Sequence, residues 1–110
     1  MAFLDKYPVS KGHVLVIPKK HFEGVEDAPD EVLDKAWALA SRIARYVRRE
    51  AGAPGVNIVT NSGREAGQEI FHFHIHVIPR WTRYMEFWGG RRELKDEEAE
   101  EVLEMYRGFK

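Results

Sequence analysis

The chain has 110 residues, near the commonest size of one protein domain, so we expect a single domain over residues 1–110. Charged residues make up 32% of the chain, but the positive and negative charges nearly cancel to a net charge of -1. This balance argues against a nucleic-acid partner, because dedicated nucleic-acid binders usually carry a marked basic excess. The lack of cysteine excludes disulfides, thiolate nucleophiles and cysteine-based zinc sites. With no membrane-length apolar run and no recognisable signal peptide, we expect a cytoplasmic protein without a membrane partner.

The first half of the chain predicts strands followed by one long helix. Residues 12 to 17 alternate with apolar side chains on both sides, as in a strand buried on both faces, and residues 3 to 5 fit a short partner strand. Over residues 30 to 50, apolar side chains recur at helical spacing and predict a buried stripe. The members of this stripe are Leu33, Trp37, Ala40, Ile43, Ala44 and Val47.

The second half predicts an antiparallel hairpin and a short helix. Residues 56 to 60 are β-branched and apolar, residues 61 to 68 form a polar loop with glycines, and residues 69 to 80 return as a longer strand. Residues 81 to 92 show no clear period. Residues 96 to 107 predict a short helix whose inner face holds Ala99, Val102, Leu103 and Tyr106. These elements predict an α+β fold, an antiparallel sheet of about four or five strands with one long and one short helix.

Three of the five histidines, His72, His74 and His76, alternate along the second predicted strand of this hairpin. Because side chains alternate across a strand, all three should project from one face. A single histidine on a strand is usually structural, but three in strict alternation on one face are hard to explain by packing. The pattern therefore indicates a site where imidazoles do chemistry.

Two kinds of chemistry use several imidazoles. Three neutral histidines could bind zinc and leave one position for water, although the preceding loop offers no evident acid or base to act on that water. Alternatively, a ring nitrogen could attack phosphorus and form a covalent intermediate. Gly63, Gly67 and Gln68 lie just before the histidines, where backbone N–H groups and a side-chain amide could cradle a phosphate. The loop and the histidines together favour phosphate chemistry.

Residues 72 to 78, which read His-Phe-His-Ile-His-Val-Ile, are similar to the signature of the histidine triad (HIT) family, His-φ-His-φ-His-φ-φ with φ apolar. The similarity extends to residues 5–19, 61–63, 66–68 and 79–80. It implies a homodimer whose sheets join across a two-fold axis. It also implies a hydrolase or nucleotidyl transferase that acts on the α-phosphate of AMP derivatives, such as nucleoside phosphoramidates or dinucleoside polyphosphates. No cofactor would be required, although magnesium can accompany polyphosphate substrates.

The resemblance gives each histidine of the motif a catalytic role. His74 matches the nucleophile, which becomes nucleotidylated. His76 matches the residue that contacts the phosphate and helps to protonate the leaving group. His72 matches the residue that orients the ring of the nucleophile through hydrogen bonds.

Five further residues match nucleotide-binding positions of the family. Asp5 stands where a carboxylate holds the ribose hydroxyls, and His13 stands beside the triad. Asn61, Gly67 and Gln68 match the loop on the phosphate side. Each also has a simpler interpretation, because Asp5 could begin a turn, His13 could be a core histidine and Asn61 could be a turn residue at the end of a strand.

Two other classes of function remain open at this point. A non-catalytic nucleotide-binding module would bind AMP without turnover. A zinc hydrolase that uses the same three histidines would hold zinc in stoichiometric amounts and lose activity with a chelator. The sequence also leaves Trp81 and Trp88 with two interpretations, as walls of a base pocket or as residues of a dimer interface.

Overall fold

The computed structural model describes residues 1–82, 88 and 91–109. Four strands form one sheet in this part of the chain, and their order is β1-β2-β4-β3 with every neighbouring pair antiparallel. The elements are β1 (Ala2–Leu4), β2 (Val14–Val16), α1 (Asp30–Arg49), β3 (Gly55–Val59), β4 (Ile75–Arg80) and α2 (Asp96–Met105). The predicted α+β class, the antiparallel sheet and the β3–β4 hairpin are confirmed.

Helix α1 packs its small and branched residues on the sheet, against β4 and β3. The buried residues of α1 are Ala36, Ala40, Ile43, Ala44 and Val47, and together with sheet residues such as Val16 and Val77 they form the core. Trp37 was predicted on this stripe, but 37% of it is exposed. It lies at the border of the stripe because the neighbouring Ala36, not Trp37, faces the sheet. No helix in the described part of the chain is both long and apolar enough to cross a membrane.

Strand β4 is shorter than predicted, since it begins at Ile75 instead of residue 69. Its partner β3 ends at Val59, whose register partner is His76, so the residues before Ile75 have no strand to pair with. Their backbone groups find other partners: the Phe73 N–H donates to the Phe22 carbonyl at 2.5 Å. Two of the three histidines in the motif, His72 and His74, therefore precede the strand instead of lying in it.

Helix α2 is held by fewer residues than its sequence predicts. Val102 is buried and Tyr106 is half-buried, but Leu103, predicted on the inner face, is 59% exposed. The Tyr106 hydroxyl donates to the Gly12 carbonyl at 2.6 Å, which ties the end of α2 to the turn before β2. Gly12 has a φ of 94°, a left-handed backbone conformation that favours glycine at this turn.

Candidate active site

The sheet brings His13, His76 and Asp5 together. His76 lies on β4, between its register partners Leu15 of β2 and Val59 of β3. His13 comes just before β2, and Asp5 comes just after β1, where the Asp5 N–H donates to the His13 carbonyl at 3.1 Å. All three side chains are buried. Residues 71 positions apart in sequence are thus neighbours because the strands β1, β2 and β4 are adjacent.

His74 is held in one tautomer by the backbone. Its Nδ1 lies 2.7 Å from the His72 carbonyl oxygen. Because a carbonyl can only accept, Nδ1 donates, and a neutral His74 ring must carry its lone pair on Nε2. The Thr60 hydroxyl donates to the His74 carbonyl at 2.7 Å and fixes the backbone at this point. The half-buried His74 therefore offers Nε2 as a nucleophilic atom.

The tautomers of His13 and His76 are set by a single backbone group. The Val9 N–H donates to Nδ1 of His13 at 2.9 Å, so the proton of a neutral His13 is on Nε2. This Nε2 lies 2.9 Å from Nδ1 of His76, which must then accept. The proton of a neutral His76 is consequently on its own Nε2. The ring of His76 lies 4.8 Å, centroid to centroid, from that of His74.

Burial keeps both of these rings uncharged. It lowers the pKa of His13 to about 3, with the nearby positive charge of Arg91 acting in the same direction. The pKa of His76 is also lowered to about 3, first by burial and then by His13 and His74, although Asp5 acts against this. At neutral pH the pair is a chain of neutral imidazoles that ends in a donor N–H on His76.

The carboxylate of Asp5 lies inside this cluster, with both oxygens in contact with polar groups. Oδ1 accepts the N–H of Tyr7 at 2.8 Å, and Oδ2 accepts a guanidinium N–H of Arg91 at 3.0 Å. Oδ2 also lies 3.4 Å from Nε2 of His13 and 3.9 Å from Nδ1 of His76. A ribose hydroxyl could reach Asp5 only by sharing or replacing one of these contacts, because 8% of the side chain is exposed.

His72 lies apart from this cluster. Its Nε2 lies 3.2 Å from the carbonyl oxygen of Pro18, and its ring packs edge-on against His21 at 4.9 Å between centroids. Its link to the nucleophile is its backbone carbonyl, which orients His74. The orienting role implied for His72 thus has a structural counterpart in its main chain instead of its imidazole.

A zinc site made of the three motif histidines does not match this geometry. Within the described residues, the side chains that approach closely enough to share a metal ion are Asp5, His13 and His76, whose ligand atoms lie within 4.8 Å of one another. However, the 2.9 Å between the two imidazole nitrogens is a hydrogen-bond distance, and one of those nitrogens holds the proton between them. The arrangement is better explained as a hydrogen-bonded chain.

The loop after β3 places Asn61 beside Gly67 but uses Gln68 differently from its implied role. Gly67 has a φ of 96°, and a β-carbon on it would lie 3.7 Å from Nδ2 of Asn61. The buried Gln68 accepts the Gly63 N–H at 2.8 Å and donates to the Glu23 carbonyl at 2.6 Å and the Ile70 carbonyl at 3.1 Å. Its amide therefore braces the loop. The backbone also bonds within the loop, since the Gly67 N–H donates to the Arg64 carbonyl at 2.9 Å and the Gln68 N–H donates to the Gly63 carbonyl at 3.1 Å.

Among its described residues, the stretch without a clear period contributes Trp88 and Arg91 to the site. The ring of Trp88 lies 5.1 Å from that of His76 in an edge-on arrangement, and Arg91 lies 5.5 Å from the Trp88 ring. Trp81 lies elsewhere, and its indole N–H donates to the Lys11 carbonyl at 2.8 Å. Sequence reasoning missed Arg91, because nothing in an irregular segment distinguishes it from the neighbouring Arg92.

Comparisons with known proteins show which family the sequence matches. The sequence model of the HIT domain family matches residues 1–83. "Protein hit" of Bacillus subtilis is 46% identical over 83 residues, which are 76% of this chain and 57% of that protein. "Adenylylsulfatase HINT3" of Arabidopsis thaliana is 36% identical over 112 residues, covering 97% of this chain and 56% of that protein. The chain thus spans a little over half the length of these two relatives.

The fold also matches a solved structure. A hypothetical histidine triad nucleotide-binding protein from Sulfolobus tokodaii strain 7 superimposes with a TM-score of 0.84 at 39% sequence identity. The match covers 96% of this chain and 74% of that one. The four-stranded sheet and the long helix described above are therefore shared with that protein.

Proposed function

The chain belongs to the histidine triad (HIT) family, and on that premise we propose that it is a nucleotide hydrolase or nucleotidyl transferase acting at the α-phosphate of AMP derivatives. The observation that supports this most directly is the hydrogen bond from Nδ1 of His74 to the His72 carbonyl. It leaves the lone pair on Nε2, which is the arrangement that a nucleophilic imidazole needs.

In the first step, Nε2 of His74 attacks the α-phosphorus. A bond forms between nitrogen and phosphorus, the bond from phosphorus to the leaving group breaks, and the leaving group takes that electron pair. The ring of His74 becomes positively charged in the intermediate. The His72 carbonyl stabilises this charge, because it already accepts the Nδ1–H of the same ring.

His76 acts in this step as a hydrogen-bond donor to a phosphoryl oxygen. With its pKa lowered to about 3 by burial, it is neutral, and its Nε2–H is the end of the chain that begins at the Val9 N–H. A neutral imidazole is a poor acid, so a leaving group that needs a proton would depend on His76 being charged first. The negative charge of a bound phosphate favours that protonation.

In the second step, water attacks the nucleotidyl-histidine and releases the nucleoside monophosphate, which restores His74. A different acceptor would make the enzyme a transferase. Nucleoside phosphoramidates and dinucleoside polyphosphates are the proposed substrate classes. No cofactor is required, although magnesium can accompany the polyphosphates. The name of the Arabidopsis relative, an adenylylsulfatase, supports hydrolysis of an adenylyl compound.

The nucleotide would be held by residues around this centre. The loop with Asn61 and Gly67 would contact the phosphate, and Gln68 braces that loop from within. The Gly67 N–H would reach a phosphate by exchanging its present bond to the Arg64 carbonyl. Asp5 would take the ribose hydroxyls by exchanging a present contact. The homodimer implied by the family stays part of the proposal, in which the exposed edge of β3 would meet the same edge of a second copy.

Turnover tests this proposal against a binding module and a zinc hydrolase. We expect the wild-type protein to cleave adenosine 5′-phosphoramidate or diadenosine tetraphosphate in the presence of EDTA. His74→Ala should lose turnover of both by at least about 10³-fold and still bind AMP, since it removes the nucleophile but leaves the buried pair intact. AMP binding without turnover would indicate a binding module. Loss of wild-type activity in EDTA, with zinc restoring it, would indicate a zinc hydrolase.

A further inference from the structure

Arg91 places a positive charge at the histidine cluster that the proposed reaction has not used. One guanidinium N–H donates to Oδ2 of Asp5 at 3.0 Å, and Nε–H donates to the Tyr7 carbonyl at 2.6 Å. About a third of the Arg91 side chain is exposed (32%), whereas its partner Asp5 is buried. The guanidinium therefore joins the buried cluster to the open side of the site.

The guanidinium has donors to spare for a ligand. Arginine carries five N–H groups in a planar fork. The contacts of Arg91 with Asp5 and Tyr7, the ones seen among the described residues, use two of them. A fork of this kind matches the oxygens of a phosphate or sulfate in two parallel hydrogen bonds.

A series of ring contacts joins Arg91 to the proposed nucleophile. Ring contacts run from His74 to His76, from His76 to Trp88, and from Trp88 to the Arg91 guanidinium. In phosphoryl transfer the attacking and leaving atoms are roughly in line, so the leaving group lies across the phosphorus from His74. His76 contacts the phosphoryl group in the proposed reaction, and these contacts join it through Trp88 to the positive charge of Arg91.

We propose that Arg91 recognises the leaving group of the substrate. It makes the enzyme select substrates that release an oxygen anion, namely a phosphate chain or a sulfate, over substrates that release a neutral amine. This inference rests on the proposed function. In the reaction it describes, His74 forms the bond to phosphorus, the bond from phosphorus to the bridging oxygen breaks, and that oxygen keeps the electron pair. Arg91 stabilises the resulting anion, and no proton is consumed.

The uncharged histidine pair agrees with this selection. His13 and His76 are neutral at pH 7, because burial lowers the pKa of each ring. The charge of Arg91 acts in the same direction as a smaller effect on the pKa of both rings. The neutral imidazoles of such a site donate hydrogen bonds, but they are weak acids. An amine needs a proton to depart, but a phosphate or sulfate leaves as a stable anion. The same guanidinium thus favours one class of leaving group and disfavours the other.

The test compares Arg91→Met with Arg92→Met on three substrates: diadenosine tetraphosphate, adenosine 5′-phosphosulfate and adenosine 5′-phosphoramidate. Arg92 is a matched control, since it forms an exposed ion pair with Glu98 at 2.6 Å. We expect Arg91→Met to lower the ratio of kcat/KM for the anionic substrates over the phosphoramidate by roughly 10- to 100-fold. Arg91→Lys should restore part of that ratio, and Arg92→Met should leave it unchanged.

Two kinetic results would overturn the inference. An equal loss on all three substrates would mean that Arg91 acts through Asp5 as a structural residue. An equal gain on all three would mean that Arg91 blocks Asp5 and competes with the ribose. If a drop were seen for the polyphosphate but not for the phosphosulfate, or the reverse, the anion recognised would be identified as phosphate or sulfate.

Binding of ADP and AMP tests Arg91 without any turnover. The β-phosphate of ADP stands where an anionic leaving group would be, so the wild-type protein should bind ADP more tightly than AMP. Arg91→Met should reduce that preference about tenfold, and Arg92→Met should keep it. An unchanged preference in Arg91→Met contradicts the inference even if the wild type is active. If the wild-type protein were inactive on all three substrates but Arg91→Met still lost the preference for ADP over AMP, the proposed hydrolase activity would be wrong. The anion site at Arg91 would still be supported.

Discussion

At the scale of single residues, backbone groups decide what each imidazole can do. The His72 carbonyl makes Nδ1 of His74 a donor, and the Val9 N–H makes Nδ1 of His13 an acceptor. Neither effect depends on the chemistry of the neighbouring side chain. A nucleophilic lone pair on His74 and a donor N–H on His76 follow from the path of the chain through the site.

His13→Gln and His13→Leu separate the role of this hydrogen bond from that of packing. A glutamine amide can still donate to Nδ1 of His76, whereas leucine leaves that buried acceptor unpaired. We expect kcat to fall by about tenfold more in His13→Leu than in His13→Gln. The ¹⁵N chemical shifts of His76 should show the proton on Nε2 in the glutamine variant. Equal rates and the same tautomer in both variants would contradict the account.

The motif histidines could be identified from their spacing, but their arrangement could not. Alternation predicts three rings on one face of a strand, yet β4 begins at Ile75 because its partner β3 ends at Val59. Where a strand ends depends on its partner, which a local pattern does not contain. The position of His13 beside the triad came from the family resemblance, which assigned Asp5 to the ribose hydroxyls, and no sequence pattern pointed to Arg91.

At the scale of elements, the loop between β3 and β4 is built around one buried amide. Gln68 joins the Gly63 N–H to the carbonyls of Glu23 and Ile70, so it holds the loop against a distant segment. Its side chain is buried and takes part in all three of these hydrogen bonds. The amide therefore fixes the conformation of the loop, together with the bond from the Gly67 N–H to the Arg64 carbonyl at 2.9 Å.

Gln68→Ala distinguishes a loop brace from a phosphate ligand. Losing these buried hydrogen bonds should lower the free energy of unfolding in urea by about 2–3 kcal/mol, with a rise in the Kd for AMP. Glu65→Ala, in the same loop but exposed, should change the free energy of unfolding by less than about 0.5 kcal/mol. If Gln68→Ala kept full stability and lost AMP binding, the amide would be a ligand and the brace would be wrong.

The two helices show which element-scale predictions succeed. The period of α1 predicts its length and most of its buried face, because many residues repeat the same signal. In α2 the helical period wrongly predicts that Leu103 lies on the inner face, since 59% of this residue is exposed. A short helix is held on the core by few residues. Its attachment depends on Tyr106 reaching Gly12, a contact between residues 94 positions apart that no helical pattern contains.

At the scale of the whole molecule, the buried histidine pair links stability to pH. The pKa of His13 and of His76 is about 3 in the folded protein, mainly through burial, against 6.5 for an unperturbed histidine. The groups that face the pair are Asp5, His74, Arg80 and Arg91. As the pH falls below 6.5, the unfolded chain takes up protons that the folded protein does not, so folding is progressively destabilised.

We expect the free energy of unfolding to fall as the pH is lowered from 6.5 to 5, with a slope that approaches about 1.4 kcal/mol per pH unit for each of the two histidines. Urea titrations at several pH values measure it. In His13→Gln one of the two groups is gone, so the contribution of the pair to the slope should fall by about half. A slope unchanged in that variant would show that the pair is not held neutral.

The most direct measurement of the central claim is the covalent intermediate itself. The wild-type protein is mixed with a sub-stoichiometric amount of diadenosine tetraphosphate or adenosine 5′-phosphoramidate, quenched in cold denaturant and analysed by intact and peptide mass spectrometry. We predict a single adenylyl group on each modified chain, at His74, that forms and decays at rates at least equal to kcat and is absent in His74→Ala. Turnover without any adduct, or an adduct on another histidine, would contradict the account.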